Sequence, residues 1–511
     1  MTDFHVDSLS GNDAHDGSSP ELAWRTIDRV HRQTLAPGDR LLFKRGCTWR
    51  EALRLAGRGT PSAPIIVSTY GSGPRPRLMA DGTVVANSGS IAWLEVRGLE
   101  VCGTAPFDPH AREQGEQHGI AFSCAESAEG LRIVDCVVHD VSGKGIQLNA
   151  LTTGTTIFSD WRISDCEVYH AGTGIATDGP WPPLPGLESC FLCHARYLVE
   201  RCRVHDIATD GIVLYYCQDG IIEHCTAWRT GIGRCQRTPV GIWLFIARRC
   251  IIQHCESYDN HTAGGKADGG GFDLDGGCID CIMQYNYSHD NDGAGFLVCS
   301  WDPAIAPTLR CTTRFNLSVN DGRANDYASL QFWQADACQT YNNTCITRIS
   351  SCLKFASPTS DLLFANNLFI IDSDRDIALV KASFPMTSNR FEHNLHWRRG
   401  GAARFEVGDR LDLDLAGWTN AVSAGGEIEA DPRLSALAGS RVIPLSDSPA
   451  LHSGTRIPGM GTRDLYGNAL TDATGVGRGA ANTIDRLASP LDGAAPGTSK
   501  NAGLSAVHSR V

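Results

Sequence analysis

The chain has 511 residues, 42% hydrophobic and 20% charged, with 54 glycines, 20 cysteines and a formal net charge of −12. That charge argues against nucleic acid or an anionic membrane surface as main partner, since either would need a basic field. No apolar run reaches the roughly 18 residues of a membrane-spanning helix, and the length allows a large core.

The opening MTDFHVDSLSGNDAHDG lacks a basic stretch followed by an apolar one, so no signal peptide and a cytoplasmic location are expected. SPELAWRTIDRVHRQ then predicts a short amphipathic helix, with Ser19 as N-cap and Pro20 at the first helical position. Residues 1–90 are assigned to an N-terminal cap and the first strands, because a first coil without a cap would expose an open sheet edge.

From residue 131 the chain repeats itself. LRIVDCVVHD, WRISDCEVYH, YLVERCRVHD, GIIEHCTAWR, CIIQHCESYD, CIMQYNYSHD, CTTRFNLSVN, CQTYNNTCIT and LLFANNLFII follow one another at intervals of roughly 30 residues. Their sixth position reads Cys136, Cys166, Cys202, Cys225, Cys255, then Asn286, Asn316, Asn343 and Asn367, with Asn394 in a tenth copy. Short β-like runs, glycine turns and no helical period predict an all-β parallel solenoid of about ten or more coils over residues 91–400. Repeat positions then become vertical columns about 4.8 Å apart. A column of Asn can hydrogen-bond along the stack, and a column of Cys packs as small apolar groups.

A second column, Cys250, Cys281, Cys311 and Cys338, absorbs one half of the Cys278-x-x-Cys281 pair, so a ladder is preferred to a metal site. Cys190-x-x-Cys193 with His194 lies in an insertion and is weak as a zinc motif. His139-Asp140, His205-Asp206 and His289-Asp290 recur at one repeat position and read as turn residues, although His289 is kept as a candidate substrate contact.

A second short strand follows each turn: GIQLN, GIATD, GIVLY, GIWLF, GFDLD, GFLVC and SLQFW. Its second and fourth residues are mostly apolar and point inward, so the third and fifth point out. The third-position column is Gln147, Ala176, Val213, Trp243, Asp273, Leu297 and Gln331, with Lys354 next. The fifth is Asn149, Asp178, Tyr215, Phe245, Asp275, Cys299 and Trp333. In GGGFDLDGG, residues 269–277, Asp273 and Asp275 are thereby expected side by side on the outer face, with the glycines leaving room for a bulky ligand. Trp243, Trp333 and Tyr215 are the expected sugar-stacking aromatics, and Asp178, Gln331, Lys354 and His289 further substrate contacts.

The repeat and the cap resemble those of the pectin-lyase-like right-handed parallel β-helix superfamily, over residues 1 to about 482. Residues 401–482 are read as C-terminal coils and the closing segment, and 483–511 as a disordered tail. The resemblance implies a carbohydrate-active enzyme. Paired aspartates favour a glycoside hydrolase, one acid donating a proton and the other activating water, with Asp268, Asp210, Asp178, Glu256 or Asp292 able to replace one of the pair. Cα atoms about 6.6 Å apart in a strand suggest the inverting geometry. No cofactor is expected on that reading.

Three alternatives are weighed. A calcium-dependent polysaccharide lyase would use Asp268, Asp273, Asp275 and Asp292 as oxygen ligands, with Lys266 or Lys354 as base. A uronate C5-epimerase is suggested by FDPH at Phe107–His110. A non-catalytic glycan-binding solenoid would keep the aromatics but need no paired acids.

Overall fold

The computed structural model describes residues 1–110, 117–180, 193–234, 238–265, 268–300, 302–470 and 475–482. The 483–511 tail, Lys266 and Cys190 lie outside the described residues. One parallel sheet of fifteen strands runs from Asp3–Val6 to Ser423–Gly425, each strand paired with its equivalent one coil on. The remaining strands join a second, 29-stranded sheet whose pairings are parallel apart from the hairpin Phe405–Val407 with Arg410–Leu413. The sheets enclose a continuous core of Ile, Leu, Val and Phe columns, such as Ile212, Ile242, Phe272, Phe296 and Leu330.

The Asn column forms the expected ladder. Asn316 Nδ2 donates to Met283 O at 3.0 Å and to Asn343 Oδ1 at 3.0 Å, and its own Oδ1 accepts from Asn286 N at 2.9 Å. The Cys column does more than pack. Cys166 Sγ lies 3.6 Å from Ile133 O and Cys202 Sγ 3.8 Å from Ile163 O, the same carbonyl position that the Asn amides reach. The thiol is thus a weak version of the amide donor. Cys278 and Cys281 likewise donate to Leu244 O and Ala247 O. The eighteen described cysteines are all free and buried. Thiol titration of denatured, unreduced protein should therefore find at least eighteen reactive groups, and a count near zero would overturn the ladder.

The turn reading of the His-Asp pairs also holds. His139, His205 and His289 each bond the following aspartate through Nδ1, at 2.7–2.9 Å, and those aspartates adopt positive φ of 53–55°.

Two expectations change. The predicted N-terminal helix is broken. Ser19 caps only a 3₁₀ turn at Pro20–Leu22, and a separate α-helix, Ile27–His31, is capped by Thr26. Trp24 between them is fully buried and pairs its backbone with the first strand, Trp24 N to His5 O and Asp7 N to Trp24 O at 2.8 Å, which a helix would forbid. At the other end, the core is plugged by a helix at Leu415–Ala421, whose buried Trp418 stacks on Phe405 at 5.1 Å. The segment beyond it folds back along the solenoid. Tyr285 OH bonds Arg463 O at 3.1 Å, Asn342 Nδ2 bonds Gly477 O at 2.9 Å, and Arg478 Nη1 bonds Asn394 O at 2.6 Å.

Candidate active site

The strand Gly270–Leu274 carries Asp273, and Asp275 follows at its end, where its N–H donates to Leu244 O at 3.0 Å. Coil-to-coil register sets Trp243, Asp273, Leu297, Gln331 and Lys354 in one column, as their alternation predicts. The face is not open, however. Asp273 is only 2% exposed, while Asp275 and Asp268 are partly accessible. The wall over them is the segment 322–328 from the next coils. Asn325 Nδ2 donates to Asp268 O at 2.6 Å, and Tyr327 OH donates to Asp268 Oδ1 at 3.2 Å. Tyr327 also packs on Ala294, Leu297 and Cys299.

Gly270 and Gly271 serve this packing. A Cβ on Gly271 would come 2.3 Å from Ser288 Oγ, and one on Gly270 2.7 Å from Ala294 O. Gly271 is small so that its strand can close on the buried Ser288 and Asn291 column beneath it.

Three carboxyls and one thiol meet here. Ligand atoms of Asp273, Asp275 and Cys299 lie within 4.8 Å of one another. That is nearer than the separation of about 6.5–9.5 Å that leaves room for a water between acid and base. Cys299 Sγ lies 2.9 Å from Asp275 Oδ1 and 3.9 Å from Asp273 Oδ1, and Gly276 N donates to Asp275 Oδ1 at 2.5 Å.

Burial, and then the charge of Asp275, push Asp268 up to about 7. Asp273 is raised well above the carboxylate range by burial and by both neighbouring acids. Burial raises Asp275 as well, but the Cys299 and Gly276 donors work against it. A set of like charges in a dry pocket cannot all ionise, and hydrogen-bond donors favour the charged form of the carboxyl they reach.

The other predicted contacts divide. Trp333 is 40% exposed and stands two coils beyond Asp275. Tyr215 is half-buried in an edge-to-face cluster with Trp243 at 5.5 Å and Phe245 at 5.6 Å. Trp243 is no open platform. It is 8% exposed, and its Nε1 donates to Asp210 Oδ1 at 3.0 Å. Gln331 and Lys354 bond to the wall. Gln331 Oε1 accepts from Ala328 N at 3.3 Å, and Lys354 Nζ pairs with Asp326 at 2.7 Å.

Asp178 stands three coils away, about 14 Å, held by Lys144 and by Gln147 Nε2 at 2.8 Å. His289 belongs to another face altogether. It ends a stack of rings, His139, Tyr169, His205, Trp228, Tyr258 and His289, and ion-pairs with Asp290 and Glu256. Burial opposes its charge, but those two acids raise it to about 9.

The predicted calcium set is not assembled. Asp292 is taken by His261 Nδ1 at 3.1 Å and by Arg323, and the converging donors include a thiol, unsuited to Ca²⁺. The FDPH segment makes a local turn, His110 N to Asp108 Oδ1 at 2.9 Å, with Phe107 stacked on His170. A groove of about 520 Å³ between the folded-back segment and the fifteen-stranded sheet, lined by Arg314, Gln284 and Tyr341, includes none of the three acids.

Tyr327, Asn325 and the role of Cys299 escape sequence reading. Cys299 is legible only as a polarisable residue in the same outward column as Asp275.

Residues 158–345 match the family model for the right handed beta helix region. Over 92% of its length the chain is 21% identical to a lacto-N-biosidase of Bifidobacterium longum subsp. longum, and the match covers 36% of that protein, so the chain spans about a third of its curated relative. The crystal structure of a GH136 lacto-N-biosidase from Eubacterium ramulus gives a TM-score of 0.56 at 18% identity, over 84% of this chain and 68% of that one. The complex of XylC with xylose gives 0.52 at 12% identity, over 85% and 87%. Parallel register in coil after coil, a family-model match across the middle of the solenoid and superposition along most of its length agree on the fold: the chain is a right-handed parallel β-helix.

Proposed function

We propose that the chain is a glycoside hydrolase acting on an oligosaccharide, with Asp268 as acid/base and Asp275 as nucleophile. The observation that carries this is the division of labour among three neighbouring carboxyls. Asp268 and Asp275 are partly accessible and Asp273 is not. Asp268 is pushed up to about 7, whereas two donors favour the charge on Asp275. Environments that pull two acids apart in this way assign proton donor and nucleophile.

Asp268 gives its proton to the glycosidic oxygen as the bond to the anomeric carbon breaks, and Asp275 forms an ester to that carbon. Asp268, now ionised, takes a proton from water, which attacks the same carbon and frees Asp275. Net retention follows, in place of the inversion suggested by strand spacing. Asp273, protonated and buried, limits the negative charge in the pocket. No metal is part of this scheme.

The name of the curated relative supports lacto-N-biose-type glycosides as the first substrates to try. An aryl lacto-N-bioside, together with neutral oligosaccharides and uronate polysaccharides, tests the reading. The expected result is hydrolysis with the β- or α-configuration kept in the first-formed product by NMR, unchanged by EDTA. Unsaturated products that disappear with EDTA would install the lyase reading instead. A cytoplasmic location belongs to the same proposal, supported by the eighteen buried free thiols.

The pH dependence should be bell-shaped, with the alkaline limb near 7, where Asp268 loses its proton. Stability has a definite sign too. Asp268 holds its proton when folded at pH values where the unfolded carboxyl, near 3.8, does not. The folded state therefore binds more protons between about pH 4 and 7, and stability falls as pH rises through that window. Asp268→Asn should flatten this slope in denaturant titrations at pH 4.5 and 7; an unchanged slope would remove Asp268 from the argument.

A further inference from the structure

Resting on the assignment of Asp275 above, we infer that Cys299 is a positioning residue: its thiol donates to Asp275 Oδ1 and fixes the orientation of that carboxylate against the substrate. Three observations converge. The sulfur lies 2.9 Å from Asp275 Oδ1, the shortest of its contacts with the two acids. Asp275 Oδ1 also accepts from Gly276 N at 2.5 Å, so two donors hold one oxygen, and Asp275 Oδ2 makes no described hydrogen bond. A carboxylate held by one oxygen presents the other for attack. The thiol is itself immobile. Cys299 is 9% exposed and packed with Ala294, Leu297 and Tyr327, and its carbonyl accepts from Thr308 Oγ1 at 2.6 Å.

Elsewhere in this chain cysteines already act as hydrogen-bond donors to fixed oxygens, in the ladder of Cys136 to Cys255. Those thiols face backbone carbonyls. Cys299 differs in facing a carboxylate, and a donor to a charged acceptor is worth more than one to a neutral acceptor. The thiol keeps its proton, because burial and the two acids raise it well above its ordinary range. It is a donor here and not a second nucleophile.

The test compares Cys299→Ala, Cys299→Ser and Cys299→Val in the full chain, reading kcat and KM from pH 4 to 9 with the substrate found above. Ser keeps a donor and loses volume, Val keeps volume and loses the donor, and Ala loses both. A positioning role predicts that Ala and Val lower kcat by about 10–100-fold with little change in KM, the range expected for one hydrogen bond to a charged group. It also predicts that their acidic limb moves up by about one pH unit, and that Ser stays within about threefold of the parent. A packing role predicts the reverse order, Val rescuing and Ser failing, with melting temperature following activity and the acidic limb unmoved. That order would overturn the inference, as would Ala retaining full kcat. The parent assignment is tested separately: if Asp275→Asn keeps turnover, the nucleophile is wrong whatever the Cys299 series shows.

Discussion

Asp275→Asn should lower kcat by at least about 10⁴-fold, since removing a nucleophile forfeits the covalent route altogether. Asp268→Asn should lose at least about 10²-fold on oligosaccharides, whose leaving groups need a proton, and far less on activated aryl glycosides, which need none. Asp273→Asn provides the contrast. Asp273 is 2% exposed and its carboxyl is raised well above the usual carboxylate range by burial, so an amide of equal size reproduces its shape and mimics its uncharged form. Its loss should stay within about tenfold. Single-turnover assays with both substrate types would separate the three. Equal losses at Asp273 and Asp275 would return the chemistry to the adjacent pair in GGGFDLDGG. Full activity in Asp268→Asn on oligosaccharides would leave the proton donor unassigned and sink the scheme.

The second large effect concerns stability. Asn316→Ala should cost about 3–5 kcal/mol. Asn316 is fully buried, and its amide makes four side-chain hydrogen bonds, to Met283 O, Asn343 Oδ1, Asn286 N and Asn286 Nδ2. Removing it strands groups on both adjacent coils, where no water can replace it. The damage should stay local, because each coil touches only its neighbours. Hydrogen exchange should quicken around Asn286 and Asn343 while the strand at Leu94–Arg97 keeps its protection. Asn286→Cys should be milder than Asn286→Ala, since a thiol does this job in the preceding coil: Cys225 N approaches Cys255 Sγ at 3.4 Å, and that sulfur lies 3.8 Å from Ile222 O. Uniform loss of protection along the chain, or equal destabilisation by Cys and Ala, would contradict the ladder.

The repeat was legible because a solenoid turns sequence period directly into vertical register. Matching residues one repeat apart pair one coil apart, so the columns Trp243, Asp273, Leu297, Gln331 and Asn286, Asn316, Asn343 could be written down from the alphabet alone. Alternation within a strand likewise told inward Phe272 and Leu274 from outward Asp273 and Asp275, since side chains change face at every residue.

What lies outside the strands was decided in three dimensions. Tyr327 reaches Asp268 across 59 positions of sequence, and Asp210 captures the Trp243 ring across 33, each contact joining two different positions of the repeat. Those contacts turn an exposed face into a walled pocket, and removing water is what raises Asp268 and Asp273 and separates the roles of three acids. Trp24 broke the expected helix for the same kind of reason: pairing with the first strand and burying an indole outweigh local helix propensity. Period and alternation are local properties that a sequence carries in full. Burial of a charge depends on which loop folds over it, and that is a property of the assembled coils.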